Sequence, residues 1–268
     1  MISFPNAKVN LGLNILRKRP DGYHDIESCL FPVPLTDALE IILSDHFSFT
    51  NSGLTVDHNN GDNLCIKAYN LIQSRCDIPK VNMHLHKVIP MGAGLGGGSA
   101  DAAFTLKMLN DLFELRINTD QLKEFASELG SDCPFFIDNK PALATGTGTD
   151  LAPISLDLKG KYLALVFPNL SISTAEAYAN VKPSEPSVEL REALTLPVAN
   201  WKDQIKNDFE ASIFPNYPLL AKLKEILYEQ GANYAAMSGS GSTLFGLFDH
   251  KPVLSIREEG VVVKEFEL

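Results

Sequence analysis

Apolar side chains recur along this chain at two periods, and the change from one to the other predicts its elements. In Lys8 to Leu16 the residues Val9, Leu11, Leu13 and Ile15 share one parity, which predicts a half-buried strand. Ile26 to Val33 and Ala38 to Leu43 read as further strands, so the first 56 residues are β-rich. Arg19-Pro-Asp-Gly22 is a turn between them. Leu64 to Arg75 takes up helical spacing behind Asp62-Asn63, which offers N-cap oxygens. Val81 to Ile89 alternates again: Val81, Met83, Leu85 and Ile89 face one way, while Asn82, His84 and His86 face the other. Ser99 to Leu115 and Thr119 to Leu129 predict two helices, with Thr119 capping the second.

Between residues 139 and 160 the texture becomes turn-rich, with Asn139-Lys-Pro, Thr145-Gly-Thr-Gly-Thr149 and Lys159-Gly160. This predicts two domains, 1–155 and 156–268. The second opens on a strand at Tyr162 to Phe167 and continues with helical stretches at 174–181, 187–195 and 216–230. Strands at 233–237 and 243–248 flank Ser238-Gly-Ser-Gly-Ser242, and Val261 to Phe266 is the last strand.

Composition narrows the classes. With 45% hydrophobic and 21% charged residues, the 268-residue chain is an ordinary globular one. A net charge of −10 argues against a general nucleic-acid or anionic-membrane binder, because those present basic faces to phosphate. Met1 to Asn6 has no signal-peptide pattern, and no apolar run approaches the ~20 residues of a membrane span. Cys29, Cys65, Cys76 and Cys133 form no C-x-x-C pair. Together these features predict a cytoplasmic protein with reduced thiols.

The strongest local signal is Pro90-Met91-Gly92-Ala93-Gly94-Leu95-Gly96-Gly97-Gly98-Ser99-Ala100, with five glycines between Gly92 and Gly98. So much glycine costs chain entropy on folding, so something must require bare backbone. A loop entering a helix offers free N–H groups and the positive end of the helix dipole, which suit phosphate. Ser99 is placed to cap that helix and to reach a phosphate or a metal ion. No lysine separates Gly98 from Ser99, so the Walker pattern is excluded. Gly92, Gly94 and Gly97 match G-x-G-x-x-G, which keeps a nicotinamide-dependent oxidoreductase open as an alternative. Against it, Asn82, His84, His86 and Lys87 make the preceding strand half-polar, whereas a dinucleotide-binding first strand is buried on both faces.

The segment Pro90 to Ala103 resembles the ATP loop of the GHMP kinase family, which includes galactokinase and the homoserine, mevalonate and phosphomevalonate kinases. Pro5-Asn-Ala-Lys-Val-Asn-Leu11 resembles the family's first motif, and Ser238-Gly-Ser-Gly-Ser-Thr-Leu-Phe245 its third. Asp21-Gly-Tyr-His-Asp25 and Gly130-Ser-Asp-Cys-Pro-Phe-Phe136 are similar to the branch that phosphorylates a cytidine diphosphate-linked methylerythritol, on the non-mevalonate route to isopentenyl diphosphate. The resemblance implies an α+β, two-domain fold. Its N-terminal domain is like domain 2 of ribosomal protein S5, with a left-handed β-α-β unit, and its C-terminal domain is ferredoxin-like. ATP and substrate meet in the cleft of such a fold. Only the dozen residues from Asp249 to Gly260 separate the last strands, so a full final helix of the family barely fits there.

The same resemblance distributes roles. Asp132 becomes the base that takes the hydroxyl proton during γ-phosphoryl transfer; its position before Cys133-Pro134 also suits a plain helix N-cap. A carboxylate is far less basic than an alkoxide, so it takes that proton only as transfer proceeds. Lys8 becomes the electrostatic partner of Asp132. Tyr23 stacks on cytosine, His24 bonds the base edge, and Tyr178 forms the second wall. Asn10 and Thr174 meet the methylerythritol hydroxyls or phosphates, and Asn63 lies near the adenine. ATP and Mg2+ are the implied cofactors, the partner is the small-molecule substrate, and no dedicated acidic metal cage is visible. His84-Leu-His86 has no third metal ligand in obvious spacing and reads as surface packing. Residues 1 to 20 hold Lys8, Arg17, Lys18 and Arg19 and no acid, which implies a locally positive site on an acidic protein. Another GHMP kinase, of homoserine or mevalonate type, and a non-catalytic ATP-binding regulator remain open.

Overall fold

The computed structural model describes residues 1–54 and 63–268. In chain order its elements are β1 (Ile2–Ser3), β2 (Asn6–Lys18), β3 (His24–Thr36), β4 (Ala38–Leu43), β5 (Ser48–Gly53), α1 (Leu64–Cys76), β6 (Val81–Lys87), α2 (Gly97–Leu112), α3 (Thr119–Leu129), α4 (Cys133–Asp138), β7 (Ala142–Thr145), β8 (Asp150–Pro153) and β9 (Tyr162–Phe167). There follow α5 (Thr174–Ala179), α6 (Leu190–Ala193), a 3₁₀ turn (Val198–Asp203), α7 (Phe209–Ile213), α8 (Pro218–Glu229), β10 (Tyr234–Met237), β11 (Leu244–Phe248) and β12 (Val262–Glu267). The chain makes two compact units, both from discontinuous segments. The first holds Met1–Lys8, Pro32–Met91 and Gly96–Lys140, and the second holds Val9–Phe31, Gly92–Leu95 and Pro141–Leu268.

In the first unit the strands run β1-β4-β6-β5. β4 lies antiparallel to β6, while β5 lies parallel to it and is joined to it through α1. The alternation of β6 works as expected: Val81, Met83 and Leu85 are buried. On its other face, Ser52 Oγ lies 2.9 Å from His84 Nε2 and 3.0 Å from His86 Nδ1, and Thr50 Oγ1 lies 2.8 Å from His84 Nδ1. The two histidines are therefore spent on the hydroxyls of β5. Among the described residues no group of three His, Cys, Asp or Glu side chains could hold a metal ion. The sequence of β5, Ser-Phe-Thr-Asn-Ser-Gly, lacks the clean apolar face that marks the other strands.

Helix starts differ from the expected ones. α2 begins at Gly97 with Gly96 as its N-cap, so Ser99 lies inside the helix and does not cap it. Gly96 reaches φ +67°, a conformation in which any other residue is strained. α3 is capped by Asn118 and not by Thr119, because Gln121 reaches back to complete a capping box. Asn63 caps α1, accepting from Cys65 N at 2.8 Å, while Asp62 lies outside the described residues.

β2 departs from the half-buried strand that its parity predicts. Lys8, Asn10 and Asn14 are buried along with the apolar set, because each has a polar partner: Asp132, Ser28 and Glu27 respectively. β2 belongs to a second sheet, β2-β3-β7-β8. In the second unit a third sheet, β10-β11-β9-β12, is antiparallel throughout, an order that fits the expected ferredoxin-like arrangement. No helix forms between β11 and β12, which settles the point that the short tail left open. Leu220, Leu223 and Leu227 of α8 pack into this unit's core with Val166 and Phe248. Trp201 is buried there, its indole N–H donating to Leu196 O at 2.9 Å and its ring edge-on to Tyr234. The four cysteines are free thiols.

Asn207 ties this unit together. Its Nδ2 donates to Met237 O (2.7 Å) and Gly239 O (2.8 Å), and its Oδ1 accepts from Phe209 N at 3.0 Å. Asn207→Ala leaves these buried groups unpaired, at a cost of about 2–4 kcal/mol. The expected consequence is a fall in Tm on the order of 10 °C by scanning calorimetry. A melting curve superimposable on wild type would refute this role.

Candidate active site

The first unit brings one set of the expected residues together. At Gly96 the glycine loop turns into α2, a 16-residue helix with no acidic side chain in its first turn. Its leading N–H groups and dipole therefore present an uncompensated anion site. The Lys8 stem passes directly beneath: a Cβ on Gly96 would lie 3.1 Å from Lys8 Cε. The Lys8 ammonium stands 3.5 Å from Asp132 Oδ2, with the Lys8 side chain 5% exposed and that of Asp132 34%. Asp132 occupies the cap position of α4, yet its carboxylate makes no capping bond. The plain cap reading is thus not realised, and the side chain is left for Lys8 and for solvent. Ser99 lies beside Gly130, where the Cys133 thiol also stands. Burial pushes that thiol up to about 11, so Cys133 is held as the protonated thiol near neutral pH. Asn63 carries the cap of α1 in this same unit.

The second unit holds the middle of the loop, Gly92 to Leu95. Gly92 and Gly94 take φ of +62° and +78°. A Cβ on Gly94 would sit 1.9 Å from Ser238 O. Ser238 Oγ donates to Gly94 O at 2.8 Å and accepts from Asn10 N at 3.3 Å, and Thr243 N donates to Ala93 O at 3.3 Å. The Ser238–Ser242 turn is therefore the seat of the loop. Asn10 Nδ2 donates to Ser28 Oγ at 2.8 Å, and that hydroxyl donates to Gly12 O.

The aromatic residues meet in an arrangement different from the simple sandwich. The His24 ring stacks on Tyr178 with centroids 4.7 Å apart, and Tyr178 stands edge-on to Phe209. Tyr23 is 67% exposed. Thr174 is the first residue of α5, whose N-cap is Ser173. The local positive surplus is smaller than a count implies, because Arg17 and Arg19 both pair with Asp25. Those guanidiniums hold the Asp25 carboxyl below the usual range. Pro90 and Met91 precede the loop's turn, with Met91 43% exposed.

Some participants gave no sequence signal. Asn207 was not anticipated. Lys87 counted as part of the polar side of β6, yet it shares the parity of Val81, Met83 and Leu85 and is buried. The dinucleotide alternative fails on topology: β6 has one antiparallel and one parallel neighbour, not the parallel partners of a doubly wound sheet.

The chain is similar to known proteins along most of its length. Residues 63–140 match the GHMP kinases N terminal domain, and residues 188–260 match the GHMP kinases C terminal domain. A 4-diphosphocytidyl-2-C-methyl-D-erythritol kinase of Parabacteroides distasonis is 55% identical over 249 residues, covering 93% of this chain and 92% of its own length. The enzyme of that name from Bacteroides fragilis is 50% identical over 271 residues, covering 100% and 96%. A crystal structure of 4-(cytidine 5'-diphospho)-2C-methyl-D-erythritol kinase superposes with a TM-score of 0.80 at 33% identity, over 92% of this chain and 90% of the other. Mevalonate kinase from Methanococcus jannaschii shares the fold at 14% identity, with a TM-score of 0.70 over 99% and 97%.

The seat of the loop is testable by comparing two glycines. A Cβ on Gly92 meets nothing within 4 Å, whereas one on Gly94 strikes the Ser238 carbonyl. Gly92→Ala is expected to cost only the conformational strain of about 1–2 kcal/mol. Gly94→Ala should shift the urea midpoint at least twice as far, since backbone must also move. Equal shifts in the two variants would exclude the contact.

Proposed function

Because this chain belongs to the GHMP kinase family, we propose that it transfers the γ-phosphoryl group of ATP to the 2-hydroxyl of 4-diphosphocytidyl-2-C-methyl-D-erythritol. The products are the 2-phosphate and ADP, on the non-mevalonate (methylerythritol phosphate) route to isopentenyl diphosphate. One observation carries the mechanism: the Asp132 carboxylate forgoes its helix cap and faces Lys8, whose stem lies under the loop exit.

Phosphoryl transfer asks the protein mainly for positioning and charge neutralisation. The N–H groups at the start of α2 receive phosphate oxygens. Lys8 offsets charge that grows on the transferring group and draws the acceptor hydroxyl toward ionisation. Asp132 accepts the hydroxyl proton as the new O–P bond forms and the bond to the β-phosphate oxygen breaks. Mg2+ bound with ATP would supply further neutralisation of the phosphate charge. Ser99 is the one side-chain oxygen in the first turn of α2, and no cluster of three classical ligands exists among the described residues. Ser99 would be placed to hold the ion, together with phosphate oxygens and water.

At the cytidine end, a ring spacing of 4.7 Å leaves no room for a base between His24 and Tyr178. The His24 ring leaves Tyr178 when cytosine enters, and then bonds the base edge, while Tyr23 closes from the other side. Asn10 and Thr174 serve the methylerythritol hydroxyls or phosphates, and Asn63 serves the adenine. Cytoplasmic chemistry on small, soluble metabolites suits this reading, and no helix of the described residues is long and apolar enough to cross a membrane.

ADP release from ATP is expected with the cytidyl substrate and not with mevalonate or homoserine. In that assay Asp132→Asn should lower kcat by roughly 10²- to 10⁴-fold while nucleotide binding persists. Near-normal turnover in that variant would remove Asp132 from the mechanism. His24→Ala should raise KM for the cytidyl substrate well above any change in KM for ATP. Equal changes in the two constants would count against the slot.

A further inference from the structure

Behind the start of α2 lies a buried ion cluster that the roles above do not use. Asp37 is the single residue between β3 and β4, and its backbone N–H donates to Pro5 O at 2.9 Å. Its Oδ1 accepts from Val88 N (2.5 Å) and Ile89 N (2.8 Å), the last two amide groups before Pro90 opens the loop. Its Oδ2 accepts from the Lys87 ammonium. That ammonium also donates to Asp101 Oδ2, at 2.8 Å, in the second turn of α2. The three side chains are at most 3% exposed.

We propose that Asp37, Lys87 and Asp101 are positioning residues for nucleotide binding, a buried clasp that joins the strand entering the glycine loop to the helix leaving it. The inference rests on the reading of this loop as an ATP site. Asp37 holds the entry through two backbone amides, Asp101 belongs to the exit, and Lys87 links them. The link lies directly behind the first residue of the helix: a Cβ on Gly97 would be 2.9 Å from Lys87 Nζ and 2.8 Å from Ile89 Cγ2. Burial alone would lower the Lys87 pKa, but Asp101 and Asp37 raise it above its ordinary value, so Lys87 stays an ammonium; burial pushes the Asp101 carboxyl up to about 7 against the pull of that ammonium. Loop glycines are costly to order. Fixing both flanks in advance removes part of that cost from the binding step. The clasp therefore governs affinity for ATP and leaves the chemical step alone.

Two variants of the whole chain test this by titration with a non-hydrolysable ATP analogue and by steady-state kinetics. Asp101→Leu cuts the link to α2 and leaves a neutral Lys87–Asp37 pair, so no uncompensated charge stays buried. Asp101→Asn keeps an amide oxygen for Lys87. The first should weaken analogue binding by about tenfold or more and raise KM for ATP in proportion, with kcat and the KM for the cytidyl substrate within about threefold. The second should stay within about threefold of wild type throughout. Should Asp101→Leu fail to fold, the uncharged triple variant Asp37→Asn/Lys87→Met/Asp101→Leu carries the same expectation. Unchanged analogue affinity, an equal loss for both substrates, or an Asp101→Asn protein as weak as Asp101→Leu overturns the clasp. A wild type that fails to bind the analogue overturns the clasp along with the kinase reading. A wild type that binds it without releasing ADP overturns the acceptor assignment alone, and the titrations still decide on the clasp.

Discussion

Lys8 and Lys87 are both buried, and a buried ammonium is tolerated only where carboxylates meet it. That requirement organises the first unit. Lys8 on β2 reaches Asp132 at the head of α4, and Lys87 at the end of β6 reaches Asp37 and Asp101. The stems or heads of both lysines then pass under the start of α2. The glycines there are demanded from below as well as from above: Gly96 lies against Lys8 and Gly97 against Lys87. Bare backbone that suits phosphate is thus also the backbone that leaves room for the two cations.

In the second unit the corresponding constraint is backbone against backbone. Gly94 lies so close to the Ser238 carbonyl that no side chain fits, and Ser238 secures the approach with its hydroxyl. Asn207 holds the Ser238–Ser242 turn through the carbonyls of Met237 and Gly239. A glycine-rich loop seldom has a single shape of its own. Here its middle is set by a serine turn and its exit by two lysines.

Alternating strands were legible. β4 and β9 fall on the expected bounds because their apolar faces are unambiguous. Helix caps were less so, since adjacent polar residues compete for the same N–H groups. Asn118 wins over Thr119 only because Gln121 reaches back, and Gly96 wins over Ser99 only because the chain turns left-handed there. The motif-borne residues Lys8, Asp132, Gly94 and Ser238 were visible because each sits in a short distinctive segment. Asp37, Lys87 and Asp101 were not: their contacts span 50 and 14 residues, and Asn207 lies 30 residues from Met237. Only the parity of Lys87 with Val81, Met83 and Leu85 hinted that it faces inward.

Trp201 gives the molecule an optical asymmetry. It is the chain's one tryptophan, and it lies in the second unit, hydrogen-bonded to Leu196 and packed on Tyr234. Indole emission therefore follows the surroundings of that unit, while the unit with Lys8, Asp132 and α2 contributes none. Far-ultraviolet dichroism, by contrast, draws on the helices of both units, α1, α2 and α3 in the first and α8 in the second. One signal watches the second unit and the other the whole chain, so their coincidence during unfolding tests whether the units lose structure in one cooperative step.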